Sequence, residues 1–97
     1  MRYLVEFYLN PGALGDRSRQ ILEAEWARTA ELVASGTVIG EWRRADGRGA
    51  VAVWDCPSHE ALNETLRSLP IWPYLSDVKV TPLIDHPSFP GGRLPAP

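Results

Sequence analysis

The chain has 97 residues, which fits a single domain and excludes a two-domain enzyme. The formal net charge of −2 provides no basic face, so neither nucleic acid nor an anionic membrane is expected as a partner. Cys56 is the one cysteine, which excludes a disulfide within the chain; as the first residues also lack the pattern of a signal peptide, we expect a cytoplasmic protein.

The first third of the chain predicts a strand followed by a helix. Residues 2–9 are rich in aromatic and β-branched side chains and alternate between two faces, which is typical of a strand. After a loop marked by proline and glycine, Asp16 or Ser18 is expected to cap a helix. This helix runs to about Ser35, and Gly36 stands where a C-cap glycine is expected.

The remaining elements are two strands, a second helix and a fourth strand. Strands are predicted over 37–44 and 50–55, and the Asp-Gly pair between them favours a hairpin. A helix is predicted over 58–68 and a last strand over 77–84. Because Pro82 has no amide proton, the last strand is expected to be an edge strand or to end there.

The resulting order, β-α-β-β-α-β, predicts an α+β fold of the ferredoxin-like type. Its four-stranded antiparallel sheet carries both helices on one face. We expect the domain to cover residues 1–88, with a tail rich in proline and glycine at 89–97. The tail is expected either to extend over a neighbouring subunit or to be disordered after about residue 90.

The first helix carries a carboxylate on its apolar side. At about 100° per residue from Ile21, Glu25 falls near 40°, whereas Glu23 and Glu31 turn toward solvent. The core stripe of this helix is predicted to contain Ile21, Leu22, Trp26, Leu32 and Val33. Desolvation is costly for a carboxylate and raises its pKa, which suits a general base. The alternatives are that Glu25 pairs with an arginine, or that the helix is rotated and exposes it.

Residues 69–88 read LPIWPYLSDVKVTPLIDHPS, and Gly36-Thr37 is followed by Trp42-Arg43. This arrangement resembles the muconolactone delta-isomerase family, whose members share an L-P-x-aromatic-P-Y turn, then V-T-P-L and H-P, and an upstream G-T…W-R strand. The resemblance covers nearly the whole chain to about residue 88.

The resemblance implies a fold, an assembly and an activity. Family members are ferredoxin-like and form rings built from dimers, typically decamers, so a homo-oligomer is expected. The implied reaction is a 1,3-proton shift that converts muconolactone, a small unsaturated lactone, to the β-ketoadipate enol-lactone, with no metal or organic cofactor. The catalytic glutamate of the family lies on the first helix, and counting back from Gly36 places it at Glu25.

The sequence also departs from the family. Gly40 stands where several members have a histidine, and the region Asp16-Arg17-Ser18 has no clear counterpart of a tyrosine that some members carry. Other functions therefore remain open: an isomerase or cyclase of another small ring in a natural-product pathway, a dehalogenase, or a non-enzymatic ligand-binding oligomer.

Substrate-binding candidates surround these motifs. A lactone with a carboxylate needs a cationic partner, and Arg43, with Arg2 as a second candidate, is suited to bidentate binding. Arg43 pairing with Glu41 or Glu6 at the surface is the alternative.

The remaining candidates are aromatic side chains and one histidine: Tyr8, Trp42, Tyr74 and His86. For Tyr74, packing under the proline turn is the competing explanation, and for His86 it is a structural role between subunits. The spacing of the two histidines and the single cysteine matches no metal motif, so no metal is expected.

Overall fold

A computed structural model describes residues 1–93 of the chain. Its helices and strands are β1 (Arg2–Tyr8), α1 (Ser18–Ala34), β2 (Val38–Arg43), β3 (Gly49–Asp55), α2 (His59–Arg67) and β4 (Asp77–Leu83). Short 3₁₀ turns lie at Gly15–Arg17, Trp72–Tyr74 and Pro90–Gly92. The predicted order β-α-β-β-α-β is confirmed. Within residues 1–93, no helix is both long and apolar enough to cross a membrane.

The four strands form one antiparallel sheet in the order β2-β3-β1-β4. Tyr3 of β1 lies opposite Trp54 on one side and Pro82 on the other. β4 lies at one end of this order and is an edge strand. This agrees with the expectation from Pro82, because an edge strand leaves one row of its amide positions without a ladder partner. This is the expected ferredoxin-like α+β fold.

The hydrophobic core lies on one face of the sheet. Strand side chains point alternately to opposite faces, so only every second residue of β1 and β3 enters the core. The main buried side chains are Tyr3, Val5, Phe7, Leu32, Ala52, Trp54, Leu62, Leu66 and Leu69. Because the buried leucines of both helices belong to this one cluster, α1 and α2 cover the same face.

The helix ends follow the sequence only in part. Ser58, where the second helix was expected to begin, caps α2: its hydroxyl accepts a hydrogen bond from the Ala61 amide at 3.1 Å. The predicted cap of α1 by Asp16 or Ser18 is wrong: no side chain caps this helix. The turn Gly15–Arg17 leads directly into α1, and the Ser18 amide donates to the Gly15 carbonyl in place of a side-chain acceptor.

The buried stripe of α1 is narrower than expected. Ile21 and Leu32 are buried, but Trp26 and Val33 are 63% and 55% exposed. These two residues lie at about 140° and 120° on the helix wheel, whereas the buried pair lies near 0° to 20°. The helix therefore contacts the sheet along a line close to Glu25. The prediction that Trp26 and Val33 belong to the core was wrong.

A β-bulge in β2 decides which of its side chains face the helices. Val38 pairs with Trp54, and Gly40 pairs with Val53. Two steps along β2 therefore match one step along β3, so Ile39 is an extra residue in β2. One extra residue reverses the alternation of the following side chains. Trp42 consequently lies opposite Val51, on the face of the sheet away from the helices.

The described part of the tail turns back on itself. His86 and Phe89 form an isolated bridge, a 3₁₀ turn follows at Pro90–Gly92, and Arg2 donates a hydrogen bond to the Gly91 carbonyl at 3.3 Å. The predictions for residues 94–97 lie outside the described residues.

Neighbouring residues of α1 test this orientation. Leu32→Ala should lower the free energy of unfolding by about 2–5 kcal/mol because it empties a buried leucine site. Val33→Ala should change it by less than about 0.5 kcal/mol because that side chain is exposed. Urea denaturation followed by circular dichroism measures both, and equal losses would contradict the orientation.

Candidate active site

A cleft of about 540 Å³ opens between α1, the β1–α1 loop, β2 and the turn after α2. Its volume lies in the range of small-molecule sites. The side chains and backbone around it belong to Phe7, residues 9–15, Ser18, Leu22, Glu25, Trp26, Glu41, Arg43, Gly47, Gly49, Ala50, Ile71 and Leu75. Most are apolar, and the charged groups among them are two carboxylates and one guanidinium.

Glu25 is held inside this cleft by two hydrogen bonds. Its Oε1 accepts from the backbone amide of Ile71 at 3.1 Å, and its Oε2 accepts from the Thr29 hydroxyl at 3.2 Å. The inward orientation expected from the helix wheel is confirmed, and the rotated helix is excluded. Arg28, the nearby arginine, instead binds Glu31 at 3.2 Å and the Ser68 hydroxyl at 3.0 Å.

The surroundings raise the pKa of Glu25. Desolvation is the largest cause, because burial penalises the charged form. The bonds from Ile71 and Thr29 and the positive charge of Arg28 oppose this shift without cancelling it. A carboxylate whose pKa is raised toward neutrality is a stronger base than an ordinary surface glutamate.

Glu41 is a second carboxylate in the cleft. From the sequence it was expected only as a possible surface partner of Arg43. The bulge at Ile39 turns Glu41 toward the helices, opposite Ala52. Glu41 is solvent-exposed as a residue, but its pKa is raised, first by partial desolvation of the carboxyl and second by the negative charge of Glu25. Gly40 was the available signal, because an isolated glycine inside a strand pattern indicates a bulge.

Arg43 lines the same cleft, as expected for a group that would bind a substrate carboxylate. The alternative, pairing with Glu41 or Glu6, is not observed: none of the ion pairs within residues 1–93 includes Arg43. Glu6 instead accepts a hydrogen bond from the Tyr8 hydroxyl at 2.7 Å.

Two of the aromatic candidates lie on the other face of the sheet. Tyr8 contacts Glu6 there, and the guanidinium of Arg44 lies 4.8 Å from the centre of its ring. The Trp42 ring covers Gly40 so closely that a Cβ at that glycine would come within 2.8 Å of it. Neither Tyr8 nor Trp42 reaches the cleft of this chain.

The last candidates lie near the C-terminal part of the fold, also outside the lining of the cleft. Tyr74 ends the 3₁₀ turn after α2 and is half-buried. The Nδ1 of His86 accepts from the Ser88 amide at 3.0 Å, and its ring packs 4.6 Å from that of Phe89. Arg2, bonded to Gly91, is also distant from the cleft lining.

A half-buried carboxylate with a raised pKa and a guanidinium in one apolar cleft define a site suited to acid–base chemistry on a small molecule. The protein-family model described as muconolactone delta-isomerase matches residues 1–89. A muconolactone delta-isomerase of Pseudomonas aeruginosa is 34% identical over 79 residues, which cover 80% of this chain and 81% of the relative.

Solved structures agree with this relationship. A muconolactone isomerase has a TM-score of 0.76 at 32% identity, with 91% of this chain and 93% of the other covered. The chain belongs to the muconolactone delta-isomerase family and is an intramolecular isomerase of that family. A 5-chloro-2-hydroxyhydroquinone dehydrochlorinase from Burkholderia phenoliruptrix, 15% identical with a TM-score of 0.72 over 89% of this chain and 96% of its own, shares the fold.

The raised pKa of Glu25 has a consequence for stability. Between the ordinary value of 4.5 and the raised folded pKa, the folded state holds a proton at Glu25 that the unfolded state has lost, so stability falls as pH rises through this interval. Compared with Glu25→Gln, the wild type should therefore lose stability from about pH 4.5 upward. Urea unfolding of both proteins at several pH values measures the difference.

The matched control is Glu64→Gln, which removes an exposed carboxylate on α2. Its difference from the wild type gives the background change with pH. If the Glu25→Gln difference followed the Glu64→Gln difference at every pH, Glu25 would not be desolvated in the folded protein.

Proposed function

We propose that this protein is a cofactor-independent isomerase that shifts a proton in an unsaturated lactone, with a muconolactone-like substrate and Glu25 as the base. The observation that carries the proposal is the Glu25 carboxylate, fixed by the Ile71 amide in a mostly apolar cleft. Membership of the muconolactone delta-isomerase family supports the substrate class.

In the first step, ionised Glu25 removes the acidic proton next to the lactone oxygen. The C–H electrons move into the ring, and the negative charge spreads to the carbonyl oxygen as a dienolate. The Ile71 amide and the Thr29 hydroxyl each occupy one position on the carboxylate oxygens. Each oxygen keeps another acceptor position for the substrate proton, and the carboxylate does not have to reorganise to receive it.

In the second step, the Glu25 carboxylic acid returns the proton to the carbon two positions away. One carboxyl group is able to serve both carbons because they lie on the same small ring. The mostly apolar lining of the cleft would reduce protonation of the dienolate by solvent.

Arg43 is proposed to bind the carboxylate side chain of the substrate. It lies on the helix-facing side of β2 with Glu41, two residues away, and its guanidinium suits bidentate binding of a carboxylate. If Arg43 held the substrate carboxylate in this way, the ring would be oriented toward Glu25.

An isomerase of another small ring is the second candidate, favoured by Gly40, which stands where several family members have a histidine. Genes for catechol oxygenation beside this gene would favour the lactone, and biosynthetic genes would favour the other ring. Assembly into a homo-oligomer built from dimers, and a cytoplasmic location, stay predictions.

Incubation with muconolactone in D₂O, followed by NMR, tests the base. Wild-type protein should convert the lactone or exchange its acidic proton, and Glu25→Gln should be slower by at least about a hundredfold because it cannot accept the proton. Glu23→Gln, an exposed change on the same helix, should keep wild-type activity. Full activity of Glu25→Gln would exclude Glu25 as the base.

A second pair of variants tests the binding of the substrate carboxylate. Arg43→Met should raise KM by about tenfold to a hundredfold, the value of a charged hydrogen bond, with a smaller effect on kcat. Arg44→Met, whose side chain packs on Tyr8 on the other face, should leave KM near the wild-type value. Steady-state kinetics distinguish the two, and equal effects would argue against Arg43 as the binding group.

A further inference from the structure

The cleft holds two carboxyl groups on different elements. Glu25 comes from α1 and Glu41 from β2, and the bulge at Ile39 is what turns Glu41 toward the side of the sheet that carries the helices. Both carboxyl groups line this one cleft, and Glu41 is the more exposed of the two. The other charged group around the cleft is Arg43, and the remaining polar side chains are those of Asn10 and Ser18.

The hydrogen bonds decide which carboxyl loses its proton first. Glu25 accepts from Ile71 and Thr29, and both bonds stabilise its anion. Among the side-chain hydrogen bonds and ion pairs found within residues 1–93, none involves the Glu41 carboxyl. Carboxyl groups that share a cleft resist simultaneous ionisation, and these bonds favour ionisation of Glu25 over that of Glu41.

We propose that Glu41 is a second catalytic carboxyl, a general acid that donates its proton to the carbonyl oxygen while Glu25 removes the proton from carbon. This inference rests on the proposed function and deepens it. It also narrows the substrate to rings that carry a carbonyl oxygen conjugated with the position losing the proton.

The proposed step balances without any further reactant. Glu25 takes the proton from the carbon next to the ring oxygen, and the C–H electron pair forms a new C=C bond. The π pair of the original C=C bond shifts to form a double bond to the carbonyl carbon, and the carbonyl π pair takes the proton of Glu41 to give a dienol. In the second half, the Glu41 carboxylate recovers the enol proton, the carbonyl re-forms, and the Glu25 acid protonates the carbon two positions away. Both carboxyl groups end in their starting protonation states.

The electrostatic surroundings of Glu41 support this role. Glu41 is solvent-exposed as a residue, but partial desolvation of its carboxyl and then the charge of Glu25 both raise its pKa, which shifts it toward the neutral acid while Glu25 is ionised. A neutral carboxylic acid at the edge of a mostly apolar cleft is able to donate to an oxygen that gains negative charge during enolisation.

Two substitutions of Glu41 provide the kinetic test. Glu41→Leu removes the donor and should lower kcat by about a hundredfold, the usual cost of losing one donor to an oxyanion. Glu41→Gln keeps an N–H donor and should recover a large part of that loss. Glu64→Gln, an exposed change on α2, should keep the wild-type rate.

The pH profile separates catalysis from a structural role. Wild-type kcat should fall as rising pH removes the proton of Glu41, and this fall should disappear in Glu41→Gln, whose amide does not titrate. A wild-type kcat in Glu41→Leu, or an unchanged fall with rising pH in Glu41→Gln, would overturn the proposal.

A titration without substrate provides an independent readout. In protein labelled with ¹³C at the glutamate carboxyls, Glu41 should lose its proton after Glu25, and Glu25→Gln should move the Glu41 titration to lower pH. If Glu41 ionised before Glu25, or was unaffected by Glu25→Gln, the proposal would be wrong. Failure of the wild type to convert muconolactone would count against the proposed function alone, because this titration would still decide the order of ionisation.

Discussion

The hydrogen bond from the Ile71 amide to Glu25 is the contact on which the site depends. It joins the middle of α1 to the turn that follows α2, over a sequence separation of 46 residues. A carboxylate on the inner side of a helix would otherwise be desolvated without compensation. With this bond and that of Thr29, the carboxylate is tolerated inside the cleft while burial still keeps its pKa raised. Stability and reactivity are thus set by the same few contacts.

Much of the fold was predictable because the responsible signals are local. The alternation of β1, the signal for the start of α2 at Ser58 and the proline in β4 each act within a few residues, and the structure has each of them where the sequence indicated. The start of α1 was not predictable in this way, because a 3₁₀ turn of ordinary residues replaces the side-chain cap. The backbone of that turn satisfies the first amides, and its sequence carries no distinctive residue type.

The site was predictable on the helix but only partly on the sheet. The regular period of α1 placed Glu25 inward, and the family resemblance reached the same residue. In β2, strict alternation fails at the bulge, which sends Trp42 to the outer face and brings Glu41 into the cleft. The position of Tyr74 and His86 depends on the turns after α2 and β4, whose course follows from tertiary contacts rather than from periodicity.

The central claim is that Glu25 faces the reacting carbons of a ring bound in the cleft. A crystal structure of the wild-type protein with a saturated lactone analogue of muconolactone, which cannot isomerise, tests it most directly. We expect the ring in the cleft, with the carbon next to the lactone oxygen about 3–3.5 Å from a carboxylate oxygen of Glu25 and the Ile71 bond intact. A ring bound on the outer face of the sheet, or a Glu25 carboxylate turned away from the ring, would contradict it.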